Sequence, residues 1–291
     1  MNQLLRLSTH GLHALNARLI AEKLSSHSTR AIGVLLGDRS PFYYVSEYPK
    51  SGGTWLAAMI SDYLQLPFPQ HSVLPLTFSC VVQNHWRFHP RLTRSFYLYR
   101  DGRDVVVSLY YDRLRLARHS NSPAREYVAR TYEKLLGPKY DPEDIARHLP
   151  RFIEFEFNNP GRGASLNWRD HIEDWVRPER KGTMAYLSYE RLKQDCVGTL
   201  SEAIESLTQT PIDTVRLQRT VEKMSMQRQT GREPGQSDIT QHVRKGVVGD
   251  WRNHFTREAA GVFDEMAGDT LVHLGYENDR KWVDRYDYPT E

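Results

Sequence analysis

The stretch that decides the fold is residues 42–55, which read FYYVSEYPKSGGTW. The aromatic and β-branched residues at its start predict a short buried strand over 42–46. Beyond the glycines, apolar residues recur at helical spacing over 55–64, and Pro67 and Pro69 end this predicted helix. The stretch therefore predicts a strand, a glycine-rich loop and a helix, in that order.

Further short apolar runs repeat this unit along the chain. Strands are predicted around Val81-Val82, over 95–99 and over 184–188, with helices beginning at about Asp104 and containing residues 200–207. Strands that alternate with helices indicate an α/β fold with a central, mostly parallel sheet flanked by helices. In such sheets ligands bind beyond the carboxyl ends of the strands, so the loops there are the expected site.

The composition excludes several classes of protein. Of the 291 residues, 39% are hydrophobic and 26% are charged, which is typical of a soluble protein with a sizeable core. The net charge of +3 is too small to imply a nucleic-acid or anionic-membrane partner, although it allows a local basic pocket. Cys80 and Cys196 lie far apart without metal-ligand spacing, so we expect no metal and a reducing, cytoplasmic location.

The chain is predicted to consist of a short N-terminal extension and one large domain. Residues 1–40 are predicted as an N-terminal helical extension and residues 41–291 as a single domain. Leucines recur at roughly helical spacing between Leu4 and Ile20, mixed with basic residues, which predicts an amphipathic helix packed on the domain. A peripheral membrane helix or a partner-docking helix is the alternative. No apolar stretch approaches the ~20 residues of a transmembrane segment.

Residues 112–165 are less regular and hold Arg113, Arg115 and Arg118 among several prolines and glycines. We interpret them as a lid or acceptor-binding insertion. A surface insertion without a function is the alternative.

The glycine-rich loop suits an anion. Between a strand and a helix, successive backbone N–H groups and the helix dipole create an anion site. Gly52 and Gly53 let the backbone approach a ligand closely, Thr54 adds a hydroxyl and Lys50 a compact positive charge. A tight turn is the alternative for the two glycines alone. A nucleotide-triphosphate loop is disfavoured because its pattern places Lys after the glycines, whereas Lys50 precedes them.

A second segment, residues 97–111, carries a cation at a predicted strand end and reads YLYRDGRDVVVSLYY. The planar fork of Arg100 suits a phosphate, and Ser108 follows on the predicted helix within reach of the same pocket. A surface ion pair between Arg100 and Asp101 is the alternative, which usually contributes little.

A third segment, residues 244–255, reads RKGVVGDWRNHF. Arg244 and Lys245 are adjacent cations, and Gly246 lets the loop that carries them wrap around a phosphate. A solvated basic turn is the alternative for this segment taken alone.

Together the three segments resemble the cytosolic-type sulfotransferases that use 3′-phosphoadenosine 5′-phosphosulfate (PAPS). Residues 48–55 match the family pattern Tyr-Pro-Lys-Ser-Gly-Thr-Thr-Trp except for Gly53, which replaces the first Thr. Residues 97–111 resemble the family's 3′-phosphate segment, and residues 244–255 its Arg-Lys-Gly-x-x-Gly-Asp-Trp-Lys-Asn-His-Phe element. The resemblance implies a P-loop-like sulfotransferase fold that transfers a sulfuryl group from PAPS, with 3′-phosphoadenosine 5′-phosphate (PAP) as product and no metal.

The resemblance also implies roles for individual residues. Residues 189–192 resemble a family step whose Tyr contacts adenine, and Trp55 stands at the family's adenine-stacking position. Ordinary core packing is the alternative for both Tyr189 and Trp55. The implied nucleotide-binding residues are Lys50, Ser51, Gly52, Gly53, Thr54 and Trp55 in the first segment, Arg100 and Ser108 in the second, Tyr189, and Arg244, Lys245 and Gly246 in the third.

The family places its catalytic base after a short strand, in a Lys-Thr-His element, and residues 81–85 match that position. We therefore predict His85 as the base that deprotonates the acceptor, with His89 in reserve. Lys50 would stabilise the leaving bridging oxygen, and Ser108 would steer Lys50 away until the acceptor arrives. Gln83 stands where the family often has Lys.

The predicted acceptor is a hydroxyl group, on a carbohydrate or glycoconjugate or, alternatively, on a small phenol or alcohol. A P-loop kinase or ATPase and a non-catalytic nucleotide-binding module are the competing classes. Retention of Lys50 together with His85 argues against the module, since a pure binder needs no base. The dimer motif of many family members ends in an acidic residue that Gly261 replaces, so no oligomeric state is predicted.

Overall fold

The computed structural model describes residues 4–119, 124–160, 165–176, 183–241 and 243–288. Within them lies a parallel four-stranded sheet of order β2-β1-β3-β4. The strands are β1 (Phe42–Glu47), β2 (Cys80–Asn84), β3 (Ser95–Tyr99) and β4 (Met184–Ser188). The helices are α1 (Leu4–Leu36), α2 (Gly53–Leu64), α3 (Gly102–His119), α4 (Ala124–Leu136), α5 (Ile145–Asn158), α6 (Trp168–Val176), α7 (Tyr189–Gln194), α8 (Cys196–Thr208), α9 (Thr214–Lys223), α10 (Met226–Thr230) and α11 (Arg257–His273).

The α/β fold with a central parallel sheet is therefore confirmed, and three boundaries move. β1 runs one residue further than predicted and includes Glu47, while α3 begins at Gly102 instead of near Asp104. α2 ends at Leu64 because Gln65 takes the left-handed conformation (φ 55°), so the helix stops before the prolines.

The core lies on both faces of the sheet because successive strand residues point to opposite sides. On one face, Val45 packs with apolar residues of α2, α7, α8 and α9. On the other, Tyr44 packs with residues of α3, α5, α6 and α11, including the buried Trp168. Helices on both faces leave the carboxyl ends of all four strands at one edge, where the glycine-rich loop and its partners meet.

The N-terminal helix α1 docks differently from the prediction. Leu19 and Ile20 are exposed, whereas the small residues Ser25 and Thr29 are buried. The Ser25 hydroxyl donates to the Leu74 carbonyl (2.6 Å), and the Thr29 hydroxyl accepts from the Leu76 N–H (3.0 Å). Residues 4–36 are thus helical, and within the part of α1 whose side chains are described, small residues contact the domain while Leu19 and Ile20 do not pack against it.

Residues 112–165 are mostly helical within the described residues and thus more regular than their sequence suggested, and their role as a lid or acceptor-binding insertion stays a prediction. An aromatic cluster holds α3, α4 and α5 together: Tyr110 contacts Tyr132 (ring centroids 5.9 Å) and Phe152 (5.3 Å), and the Tyr132 hydroxyl donates to the Tyr110 carbonyl (3.1 Å). Residues 120–123 and 161–164 of this segment lie outside the described residues. No helix in the described part of the chain is long and apolar enough to span a membrane.

Candidate functional site

The loop between β1 and α2 turns sharply through two left-handed residues. Lys50 has φ 73° and Gly52 has φ 105°. Gly52 is required twice over, because a β-carbon there would lie 2.8 Å from the Tyr189 ring as well as forcing a strained backbone. Ser51, between them, is fully buried, and its N–H donates to the Tyr48 carbonyl (3.1 Å). The loop therefore directs the start of α2 towards the carboxyl edge of the sheet.

The Lys50 side chain reaches α3. Its ammonium donates to the Asp112 carboxylate (3.2 Å), which also accepts from Arg115 (3.0 Å). The Lys50 and Asp112 side chains are only 10% and 13% exposed, and burial lowers the pKa of Lys50 while Asp112 opposes that change. Asp112 was missed by the sequence reasoning. Ser108 lies one turn before it on the same helix, and the steering role assigned to Ser108 stays a prediction.

Arg100, directly after β3, connects four segments. Its guanidinium donates to the carbonyls of Lys50 (3.4 Å) and Val247 (3.0 Å) and to the Asp104 carboxylate (3.2 Å). The same group lies 4.3 Å from the centroid of the Tyr189 ring, a cation–π contact. The structure thus brings the first, second and third predicted segments together at one arginine.

The cations of the third segment converge on Asp250. Its carboxylate accepts hydrogen bonds from Arg244, from Lys245 (2.5 Å) and from His254 (3.3 Å). Burial raises the pKa of Asp250, but these three partners outweigh it and hold the pKa far below its ordinary range. Gly246 follows with φ 65°, so the chain turns immediately after the two cations.

Asp104 fixes this segment against α3. Its carboxylate oxygens accept the backbone N–H groups of Gly249 (2.8 Å) and Trp251 (2.9 Å) in addition to Arg100. A buried carboxylate that accepts several N–H groups is well stabilised, so this contact sets the position of the loop that carries Arg244 and Lys245.

The two predicted adenine contacts are neighbours. The rings of Trp55 and Tyr189 meet edge to face with centroids 6.0 Å apart. The Trp55 indole N–H donates to the Met224 carbonyl (2.9 Å), and the Lys193 ammonium lies 5.7 Å from its ring centroid. Trp55 is only half-buried, so part of its ring remains accessible to a ligand.

His85 lies beside β1 because the parallel pairing of Ser46 with Asn84 places the next residues together. Its Nδ1 is 2.9 Å from the Glu47 carbonyl oxygen. A carbonyl can only accept, so Nδ1 carries the proton and Nε2 is the acceptor nitrogen of the neutral ring. The reserve candidate, His89, instead accepts the Arg91 N–H through Nδ1 (3.2 Å).

Glu47 is the second group that the sequence reasoning missed. Its buried carboxylate accepts hydrogen bonds from the Gly53 N–H and from the Gln83 amide (2.8 Å). The Gln83 carbonyl in turn accepts from the Thr54 hydroxyl (3.1 Å). The sequence signal that could have revealed Glu47 is an acidic residue at the end of β1, directly before the predicted anion loop.

Two buried polar atoms of this site have no hydrogen-bond partner within the described part of the chain: Ser51 Oγ and Arg100 Nε. Buried polar groups normally have partners, so orphaned donors on the loop and at the end of β3 fit an anionic ligand between them. Among the residues described, no group of three or more His, Cys, Asp or Glu side chains could hold a metal ion.

The sequence is similar to those of curated sulfotransferases. The curated sulfotransferase 2B1 of Mus musculus is 26% identical over 246 residues, covering 80% of this chain and 64% of that protein. Its Homo sapiens counterpart is 27% identical over 257 residues, covering 76% and 63%. The chain thus spans slightly less than two thirds of these relatives' length.

The fold has close structural counterparts. The crystal structure of mouse sulfotransferase SULT7A1 complexed with PAP superposes with a TM-score of 0.60 at 19% identity, covering 91% of this chain and 94% of that one. A family model described as "Sulfotransferase domain" matches residues 87–275, which is well over half of the chain. The chain therefore belongs to the sulfotransferase domain family.

Proposed function

We propose that this protein is a PAPS-dependent sulfotransferase that moves a sulfuryl group to an acceptor hydroxyl. One observation carries the proposal: Lys50, Arg100, Tyr189 and the loop after Arg244 come from distant parts of the chain and meet at the carboxyl edge of the sheet. The orphaned Ser51 and Arg100 atoms lie at the same place. Family membership supports this chemistry over that of a P-loop kinase.

The donor supplies a sulfuryl group activated by its bond to a phosphate oxygen, and the chain's residues hold the two charged ends. The loop of residues 50–54 and the N-terminus of α2 suit the 5′-phosphosulfate. Arg100, Arg244 and Lys245 suit the 3′-phosphate, and the half-buried Trp55 suits the adenine.

The proton of the acceptor hydroxyl would go to His85 Nε2, since Nδ1 is already protonated and bonded to the Glu47 carbonyl. A new bond then forms between the acceptor oxygen and sulfur while the bond from sulfur to the phosphate oxygen breaks. Lys50, a positive charge on the loop, would stabilise the negative charge on that departing oxygen.

For the acceptor we propose a carbohydrate or glycoconjugate hydroxyl that carries an acidic group nearby. A pocket of about 280 Å³ lies along α3, next to Asp112. Arg115 and Arg118 contribute two guanidinium groups to it and Glu143 a single carboxylate, so the pocket favours an anion. The apolar side chains of Tyr111, Leu114, Pro142 and Ile239 line the same pocket, so a small phenol or alcohol is the alternative acceptor. The pocket is lined by Tyr111, Leu114, Arg115, Arg118, Pro142, Glu143 and Ile239.

The arrangement supports four further proposals about organisation. Residues 41–291 act as one catalytic domain, and residues 112–165 contribute the acceptor pocket, which five of their side chains line. We place the protein in the cytoplasm, since Cys80 and Cys196 are both free thiols. The exposed leucines of α1 allow peripheral membrane contact by that helix.

The donor site is tested by calorimetric titration with PAP, with ADP and Mg²⁺–ATP as comparison ligands. We expect selective micromolar binding of PAP that Arg100→Ala abolishes, because it removes a phosphate-binding fork. Arg191→Ala is the matched control, since that arginine pairs with Glu202 at the surface. No binding of PAP, or preference for Mg²⁺–ATP, would contradict the proposal and favour a kinase.

The acceptor is tested by transfer of radiolabel from PAPS to acidic oligosaccharides, neutral oligosaccharides and phenols. We expect acidic saccharides to be the best acceptors, and Arg115→Ala to raise their KM about tenfold, the equivalent of one lost ionic contact. Arg130→Ala, on the exposed face of α4, is the control. Preference for phenols would favour the alternative acceptor, and PAP binding without any transfer would favour a non-catalytic module.

A further inference from the structure

The Glu47 carboxylate occupies a place that the sequence assigns to the donor. The N–H of Gly53, the first residue of α2, belongs to the anion loop predicted to bind phosphosulfate. In the structure this N–H donates to the Glu47 carboxylate, which is 2% exposed. An N–H group that already donates to this carboxylate is occupied, and both anions are attracted to the same helix N-terminus, so the chain's own carboxylate and the donor compete for this position.

Two departures from the family pattern are explained by this one carboxylate. A β-carbon built on Gly53 would overlap the Glu47 carboxylate carbon, so the Thr of the family pattern cannot stand there while Glu47 holds its position. Gln83, which stands where the family often has Lys, donates its amide to Glu47 and accepts from Thr54. Residues 53 and 83 therefore both contact the carboxylate at position 47, and at position 53 this carboxylate leaves room for glycine alone.

Titratable and polar groups face the Glu47 carboxylate from four parts of the fold. Lys50 approaches from the loop, His85 from the end of β2 and the Tyr97 hydroxyl from β3, while α2 presents the Gly53 N–H. Burial raises the pKa of Glu47 above its ordinary value, and His85, Gly53, Gln83 and Lys50 oppose that rise. A carboxyl with a raised pKa takes up a proton more readily, above all when a second anion arrives beside it.

We propose that Glu47 is the residue that sets donor affinity in this protein: its negative charge competes with the 5′-phosphate end of the nucleotide, which binds with uptake of a proton at this carboxyl. The inference rests on the proposed function, because the donor nucleotide is the ligand concerned. It assigns Glu47 a positioning role on the anion loop and no part in the bond-making step.

The test is calorimetric titration of PAP into the full chain and into Glu47→Gln. Gln has the same size and keeps a carbonyl oxygen for the Gly53 N–H, but it has no charge. At about pH 8 we expect the variant to bind PAP at least tenfold more tightly, because like charges within the same site disfavour binding. Glu202→Gln, an exposed carboxylate on α8, is the matched control and should leave the affinity unchanged.

The pH profile separates this role from a structural one. Lowering the pH from about 8 protonates Glu47 in the wild type, so the advantage of Glu47→Gln should shrink towards one as the pH falls. The ratio of the two dissociation constants cancels the titration of PAP itself. Thermal melting of each protein verifies that both variants are folded.

The outcomes distinguish this inference from the proposed function. PAP binding by the wild type, with equal or weaker binding by a folded Glu47→Gln at about pH 8, overturns the inference alone. An advantage of the variant that does not diminish as the pH is lowered also overturns it. PAP binding by neither protein overturns the proposed function and the inference together.

Discussion

Lys50 combines two features that each disfavour the folded state. Its backbone is left-handed (φ 73°) without being glycine, and its ammonium is nearly buried. Strained backbone of this kind costs about 1–3 kcal/mol and persists where the surroundings hold it, commonly at functional sites. The contact with Asp112 provides that hold, since the carboxylate neutralises the buried ammonium and ties the loop to α3.

Asp112→Asn should therefore destabilise the protein by about 1–3 kcal/mol, because the buried ammonium loses its charged partner. Urea denaturation at neutral pH measures this change. Asp284→Asn is the control, since Asp284 and Arg257 form an ion pair at the surface that contributes little. An equal effect of the two substitutions would contradict the importance of the contact.

The same pair predicts a dependence on pH. Burial raises the pKa of Asp112, but Lys50 and Arg115 outweigh it and leave the pKa below its ordinary value. A depressed pKa gives stability that is present above the unfolded pKa of about 3.9 and is lost as the pH falls through the folded pKa. The difference between wild type and Asp112→Asn should accordingly diminish below about pH 4.

Sequence alone could locate the basic half of the site and not the acidic half. Lys50, Arg100 and Tyr189 follow predicted strands, so their meeting at one edge follows from the parallel sheet. Asp112 meets Lys50 across 62 residues of sequence, through the length and angle of α3. Contacts of that kind depend on helix packing, which a single sequence does not reveal.

At the scale of elements, α1 is held by close approach to the sheet. Gly33 lies so near Tyr44 that a β-carbon would overlap the tyrosine hydroxyl, which is within 3.0 Å of the Ser40 hydroxyl oxygen. Ser25 and Thr29 lie on the same side of the helix, about two turns and one turn earlier. The packing therefore needs small residues at four-residue spacing, a pattern that a search for leucines overlooks.

Gly33→Ala should destabilise the protein by about 1–3 kcal/mol, because an added methyl group in a packed contact strains its neighbours. Gly261→Ala, in the middle of α11, is a matched control with nothing near its β-carbon. There the same change should stabilise by about 0.5–1 kcal/mol through helix propensity. Thermal unfolding of both variants measures the two signs, and a stabilising Gly33→Ala would show that α1 is not packed as described.

Secondary structure was predictable where the pattern was local. The strands at 95–99 and 184–188 were predicted with their observed bounds, since each is a short, largely apolar run that contains aromatic residues or leucine and is followed closely by charged residues. The region 112–165 was misjudged because α3, α4 and α5 depend on aromatic contacts between residues 22 to 42 positions apart, such as Tyr110 with Tyr132 and Phe152. Gly137 directly follows the end of α4, whereas Pro150 lies inside α5, so these residues did not mark an irregular segment.

For the molecule as a whole, the nucleotide would connect segments that span most of the chain. Residues 50–54 and Arg244 are nearly 200 positions apart, and a ligand that contacts both stabilises the folded state alone. PAP at 100 times its dissociation constant should therefore add about 2.7 kcal/mol to the free energy of unfolding. That raises Tm by several degrees.

Thermal unfolding with and without PAP measures this increase, and ADP, which lacks the 3′-phosphate, should give a smaller one. Arg100→Ala should show no response to PAP. A Tm that PAP leaves unchanged in the wild type, at concentrations where calorimetry detects binding, would mean that the nucleotide also binds the unfolded chain.

The hydrogen bonds from Arg244, Lys245 and His254 to the Asp250 carboxylate have a kinetic consequence. A sulfotransferase must release PAP after every cycle, and departure of a phosphate from two cations would normally leave uncompensated charge behind. Asp250 remains beside those cations throughout, so the empty clamp stays neutralised. We expect this standing counter-charge to lower the barrier to product release and so to shorten the residence time of PAP, which in many enzymes limits turnover.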